Sequence, residues 1–180
     1  MFELISWLQE IFLGNPLGQT LWLIAFWVSV YNFLYCRDKK FILFALIASI
    51  FWGSHFFVLG LLSAAYINFV DVIKNALALR YEKNKYITLG FIMIYIILSY
   101  LTYNWPLSLI PLATAILSTI LVFYVRWVYL NTWFMIVIAM WLVYNFTGWS
   151  IGGVMTDITL MVSWLIGIYK IIKSDRLKSG

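Results

Sequence analysis

The chain has 180 residues, 64% of them hydrophobic and 11% charged, with twelve Lys or Arg against seven Asp or Glu. A water-soluble domain dresses its surface with roughly a quarter charged residues, so this composition excludes a soluble globular protein and points to lipid as the solvent. One cysteine, Cys36, excludes an intramolecular disulfide and a cysteine-based zinc cluster, and one histidine, His55, excludes a histidine-rich metal site.

The opening stretch MFELISWLQE carries Glu3 and Glu10 and lacks the basic n-region of a cleaved signal. Phe2, Ile5, Leu8 (or Trp7) and Phe12 share one helical side, with Glu3, Ser6 and Glu10 on another. This pattern predicts a short amphipathic helix over 1–15 that lies at the membrane interface. A bilayer core takes about 20 mostly apolar residues per helix. Seven such segments follow, at roughly 18–36, 40–60, 61–80, 86–104, 106–125, 128–148 and 150–172. The turns between them are short: CRDKK at 36–40, YEKNK at 81–85, NWP at 104–106 and GWSIGG at 148–153. The boundary near Gly60 carries no charge to mark it.

Arg37, Lys39, Lys40, Lys74, Arg80, Lys83, Lys85, Arg126, Lys170, Lys173, Arg176 and Lys178 all fall on one side if the N-terminus is outside and the C-terminus cytoplasmic. The opposite side carries Glu3 and Glu10. That positive-inside asymmetry accounts for the net charge of +5 without nucleic acid.

Sliding the chain by 89 residues brings Asn15 onto Asn104, Ser29 onto Ser118, Tyr35-x-Arg37 onto Tyr124-x-Arg126, Trp52 onto Trp141 and Phe57 onto Phe146. Matched residues sit at matched depth in matched spans. The expected fold is therefore an all-α integral membrane protein. Its seven transmembrane helices form two parallel three-helix repeats joined by a linker helix (3+1+3). The units are 16–85, a linker at 86–104, a second unit at 105–172 and a basic tail at 173–180.

Parallel-repeat transporters bind solute near the midplane between repeats, so polar residues at mid-depth are the candidate site. Asn68 matches Asp157 under the shift, His55 matches Tyr144, and Asn145 stands beside Tyr144. An ionisable residue at the centre of a spanning helix costs about 2.5–3.5 kcal/mol on insertion scales and so faces the bundle interior. Asn68, Asp71, Asn145, Asp157, His55 and Tyr144 are the expected solute-binding residues. A plainer reading stands beside each. Asp71 and Lys74, one turn apart, can simply neutralise one another. His55 can be a neutral core histidine bonded to a carbonyl. Asp157 has no base within a turn. Gly148-x-x-x-Gly152 fits close helix contact or a tight turn. Trp105, Trp149 and Trp127 fall at predicted interfaces as a belt. Trp52, Trp141 and Trp164 lie inside spans, as packing or as ring platforms for a planar or sugar-like ligand.

There is no nucleophile–base pair, zincin motif or phosphate-binding glycine loop. No catalytic residue, cofactor or metal is expected, and the expected partners are the bilayer, a small polar solute and, as an open question, further copies of the chain.

HFFVLG at 55–60 with Asp71 and Lys74, then NF at 145–146 with SIGG at 150–153 and Asp157, together with RDKKF at 37–41, resemble the YgjV-type bacterial inner-membrane proteins. The resemblance runs from about residue 17 to the end. It departs at Tyr144, where that family often has a second histidine, and at Asp71, where asparagine is frequent. It implies a bacterial inner-membrane location. Its plan is similar to that of SWEET sugar carriers, PQ-loop proteins and PnuC vitamin transporters, an architectural analogy. The expected function is a passive or secondary transporter of a small polar solute, with His55 or Asp157 as the proton carrier if transport is coupled. The alternative is a non-transporting partner, sensor or assembly factor of another membrane complex.

Overall fold

The computed structural model describes residues 15–36, 38–125 and 127–178; the amphipathic segment expected over 1–15 lies almost wholly outside them. Seven α-helices make up the described residues, with no strand among them: α1 Pro16–Tyr35, α2 Asp38–Val58, α3 Leu62–Ala78, α4 Lys85–Leu101, α5 Ile110–Tyr124, α6 Trp127–Thr147 and α7 Ile151–Lys178. Pro16–Tyr35, Lys39–Val58 and Pro106–Tyr124 are long and apolar enough to cross a membrane. Lys85–Leu101, Thr132–Thr147 and Ile151–Ile166 are shorter apolar stretches. The remaining helix, α3, carries the polar load, burying Ser63, Asn68, Lys74 and Asn75 on one face.

Local chemistry sets the ends. Asn15 caps α1 by accepting from the Gly18 N–H at 2.9 Å, with Pro16 at the first helical position. Asn84 caps α4 through the N–H groups of Tyr86 and Ile87. Pro106 opens a 3₁₀ turn, Pro106–Leu109, before α5 begins. The uncharged boundary at Gly60 is a Schellman close: Leu61 N–H donates to the Phe56 carbonyl at 2.9 Å, Gly60 N–H to Phe57 at 3.0 Å, and Gly60 takes φ +75°. The end of α6 repeats that pattern. Ser150 N–H donates to Asn145 at 2.9 Å, Trp149 N–H to Phe146 at 3.4 Å, and Trp149 holds φ +55° without glycine's freedom.

Packing is sequential around a ring: α1 on α2, α2 on α3, α3 on α5, α5 on α6, α6 on α7, and α7 back on α1. Helix α4 leans on α3 and α5, through Ile67, Phe91, Tyr95, Ala115 and Phe123. Lys39 lies 3.9 Å from Glu82, and the Lys83 N–H donates to the Phe123 carbonyl. The α1–α2 turn, the α3–α4 turn and the end of α5 therefore share one end of the bundle, the basic one. Exposed apolar side chains occur on every helix, including Leu34, Leu43, Ile73, Ile97, Ile120, Val143 and Leu165, as lipid contact requires.

Candidate functional site

A cavity of about 150 Å³ lies inside the ring. Helix α1 contributes Ser29, Asn32 and Phe33. Helix α2 contributes Phe41, Ala45, Ala48, Ser49, Trp52 and Phe56, and α3 contributes Asn68 and Asp71. From α5 come Thr114, Ala115 and Ser118. Helix α6 supplies Phe134, Val137, Ile138, Trp141 and Asn145, and α7 supplies Thr156, Asp157 and Leu160. None of these lies on α4. At about 10–15 Å³ per water on this measure, the space holds on the order of ten waters or a small solute.

Two aromatic layers bound it. Toward the basic end, Phe41 meets Phe33 and Phe134 edge to face, at 5.5 and 5.6 Å. Toward the opposite end, Phe56 stacks between Trp52 and Trp141, at 5.6 and 5.5 Å. Phe41 and Trp52 are about 16 Å apart along α2 at 1.5 Å per residue, with Ser49 between them.

On one wall, Asp71 accepts from Tyr95 Oη at 2.5 Å and pairs with Lys74 Nζ at 2.6 Å. Lys74, 1% exposed, also donates to Ser118 Oγ at 2.9 Å and lies over the Tyr95 ring. The mutual neutralisation of Asp71 and Lys74 is thus present, and it fastens α3 to α4 and α5. On the facing wall, Asp157 Oδ2 accepts from Asn145 Nδ2 at 2.8 Å and has no ion-pair partner among the described residues. Asn145 Oδ1 and Asn32 Oδ1 are buried without a hydrogen-bond partner. Asn68 donates to its own helix, at the Ala64 carbonyl. Gly153 makes the Asn145–Asp157 contact feasible, because a Cβ there would fall on the Asn145 amide.

His55 and Tyr144 do not line the cavity. His55 Nδ1 lies 2.9 Å from the Gly18 carbonyl, which can only accept, so Nδ1 carries the proton there. Its Nε2 lies 3.3 Å from Ser150 Oγ, which caps α7 at the Gly153 N–H. His55 therefore ties the starts of α1 and α7 to the end of α2. Tyr144 is buried against Phe56 and Trp141. Gly152 meets the Trp22 ring, where a Cβ would come within 2.5 Å, and Trp22 Nε1 donates to Thr156 Oγ1 at 3.1 Å. Gly152 thus serves close contact between α7 and α1, whereas Gly148 sits in the α6–α7 turn beside Leu61.

Sequence reasoning missed Asn32, Ser49, Thr114 and Thr156 as cavity residues. It noted Ser29 and Ser118, but only as members of the repeat. The 89-residue correspondence pairs Ser29 with Ser118, Trp52 with Trp141 and Asn68 with Asp157, and all six line the cavity. That correspondence was the signal available.

The sequence model of a family described as bacterial inner membrane protein, Imp-YgjV, matches residues 16–175. The chain belongs to the Imp-YgjV family. The match takes in all seven helices up to the last turn of α7 and every cavity residue named above. No curated protein and no solved structure matches the chain.

Proposed function

We propose that this inner-membrane protein carries a small polar solute across the bilayer by rocking α1–α3 against α5–α7 about the central cavity. Helix α4 serves as the linker, with the N-terminus outside and the C-terminus cytoplasmic. The observation that carries the reading is the cavity itself: a largely apolar space with polar side chains set into its wall, lined by residues of α1–α3 and α5–α7 and by none of α4. The matched Schellman turns at Gly60 and Trp149 support the repeat, being 89 residues apart. So do the two inter-unit contacts, α3 on α5 and α7 on α1, which interchange under the same shift. The aromatic layers fit the role of gates, one toward each face of the membrane. The basic residues gathered in the turns of one end support the orientation.

In this mechanism Asp157, Asn145 and Asn68 contact the solute, while Asp71 is held by Lys74 and Tyr95. His55 and Tyr144 act behind the outer aromatic layer as positioning residues. The reading of the chain as a non-transporting partner protein draws on the Asp71–Lys74–Ser118–Tyr95 network, which is internally satisfied; the two partnerless amide oxygens beside the cavity favour transport over it. Uptake of a panel of labelled small polar solutes into proteoliposomes, wild type against Asp157→Asn, tests the proposal. Uptake by wild type that falls in the variant is expected; equal uptake removes Asp157 from the mechanism.

A further inference from the structure

The inventory of donors and acceptors around the cavity identifies a ligand class. Among the described residues its wall holds two carboxylates, Asp71 and Asp157, and no Lys or Arg. Lys74 neutralises Asp71. Asp157, 7% exposed, meets one amide and no cation among the described residues. Most of the donors are already engaged; the Ser29 hydroxyl, which accepts from Trp52, keeps its hydrogen. Asn145 Nδ2 donates to Asp157, Asn32 Nδ2 to the Phe41 carbonyl and Asn68 Nδ2 to the Ala64 carbonyl, leaving at most their second hydrogens. Trp52 Nε1 donates to Ser29, and the hydroxyls of Ser49, Thr114 and Ser118 donate to carbonyls of their own helices. Acceptors dominate what is left over: the carboxylate of Asp157 and the partnerless oxygens of Asn145 and Asn32, residues 2% and 3% exposed.

A buried carboxylate without a counter-charge is costly, and a buried acceptor without a donor forfeits a hydrogen bond. One ligand type answers both: a cation whose polar end carries only N–H donors. The indole rings of Trp52 and Trp141, which line the cavity, add aromatic surface that attracts organic cations. Ala45 and Ala48 leave room for an alkyl body.

We propose that the cavity binds a small primary or secondary ammonium compound, of on the order of ten non-hydrogen atoms or fewer, with Asp157 as its counter-ion. This rests on the reading of the cavity as a solute site and narrows that reading to a substrate class. Asn145 and Asn32 offer their oxygens to the ammonium N–H groups. Asn145 also fixes the Asp157 carboxylate through its own amide.

The test uses three probes with one alkyl chain and three charges: n-butylammonium, n-butanol and butyrate, at matched ionic strength, with sodium and potassium chloride as controls. Thermal unfolding of the purified full-length protein is followed as each is titrated, since a ligand stabilises the state it binds. Wild type melts higher, saturably, with n-butylammonium alone. Asp157→Asn, nearly isosteric, binds about tenfold or more weakly, as loss of a charge-assisted bond predicts. Asn32→Ala weakens binding less. An equal shift with butanol, butyrate or the inorganic salts overturns the proposal, as does unchanged affinity in Asp157→Asn. The wild-type comparison decides the matter even if a variant does not fold. Uptake assays separate this claim from transport. Saturable n-butylammonium binding without uptake of it into proteoliposomes supports the ligand class and removes the carrier role. Uptake of an uncharged or anionic solute without ammonium binding overturns the ligand class and leaves the carrier role standing.

Discussion

Asp71 on α3 and Asp157 on α7 line the same cavity. Asp71 is held by the Lys74 ammonium and the Tyr95 hydroxyl, and Lys74 is braced in turn by Ser118. Asp157 is held by a single amide of Asn145. The same residue type is structural in one helix and available in the other, and the difference is one turn of helix: α3 places Lys74 three residues after its acid, whereas α7 has Leu160 three residues after Asp157. A buried charge with its partner built in is scaffold. A buried acid without one is poised for a partner that comes from outside.

Removing the built-in partner has the largest expected effect. Lys74→Met strands Asp71 and should destabilise the protein by about 3–5 kcal/mol, while adding Asp71→Leu should restore most of it, since well-packed apolar replacements of buried pairs are often neutral. Equilibrium unfolding in mixed micelles reads both; a Lys74→Met protein as stable as wild type would erase the distinction between the two acids. Gly153→Ala comes next. Its methyl meets the Asn145 amide, so a cost of about 1–3 kcal/mol is expected, together with weaker ligand binding as Asn145 moves off Asp157. Retained stability and binding would show that Gly153 does not set that contact.

The two matched turns extend the comparison to the ends of α2 and α6. Gly60 and Trp149 both hold a left-handed backbone, so Gly60→Ala should lose about 1–2 kcal/mol and Trp149→Gly should gain a similar or smaller amount. Melting temperatures measure both, and changes of the same sign would argue against equivalent turns. The smallest stability effect belongs to Asp157→Asn. It removes a carboxylate that has no cation, so its melting temperature without ligand should stay level or rise slightly. A large loss there would make Asp157 structural like Asp71.

The helices were legible because hydropathy and charged turns report them directly: the expected segment 18–36 is Pro16–Tyr35, and 128–148 is Trp127–Thr147. The start of the fifth helix was less so, since Pro106 and Pro111 turn its first residues into a 3₁₀ segment. At Gly60 the stop signal is conformational, a left-handed glycine with its two hydrogen bonds, and carries no charge to read. Within the site, Asn68, Asp71, Asn145 and Asp157 stand out because burying them is costly. Asn32, Ser49, Thr114 and Thr156 did not. A serine or threonine in a helix satisfies itself on the carbonyl three or four residues back, as Ser49 does on Ala45, so its presence says nothing about the direction it faces. Nor does sequence reveal that His55 bridges the ends of three helices, because its partners, Gly18 and Ser150, lie 37 and 95 residues away.

Thiol labelling in membrane vesicles tests most directly whether Asp157 and Asn68 face water inside the bundle. With Cys36 replaced by alanine, single cysteines at 68, at 157 and at Ile120, which faces outward on α5, would be exposed to a membrane-impermeant maleimide from each side in turn. The account predicts that 68 and 157 react from at least one side, that Ile120→Cys does not, and that n-butylammonium protects 157. Silence at 68 and 157 from both sides, in protein that remains folded, would contradict it.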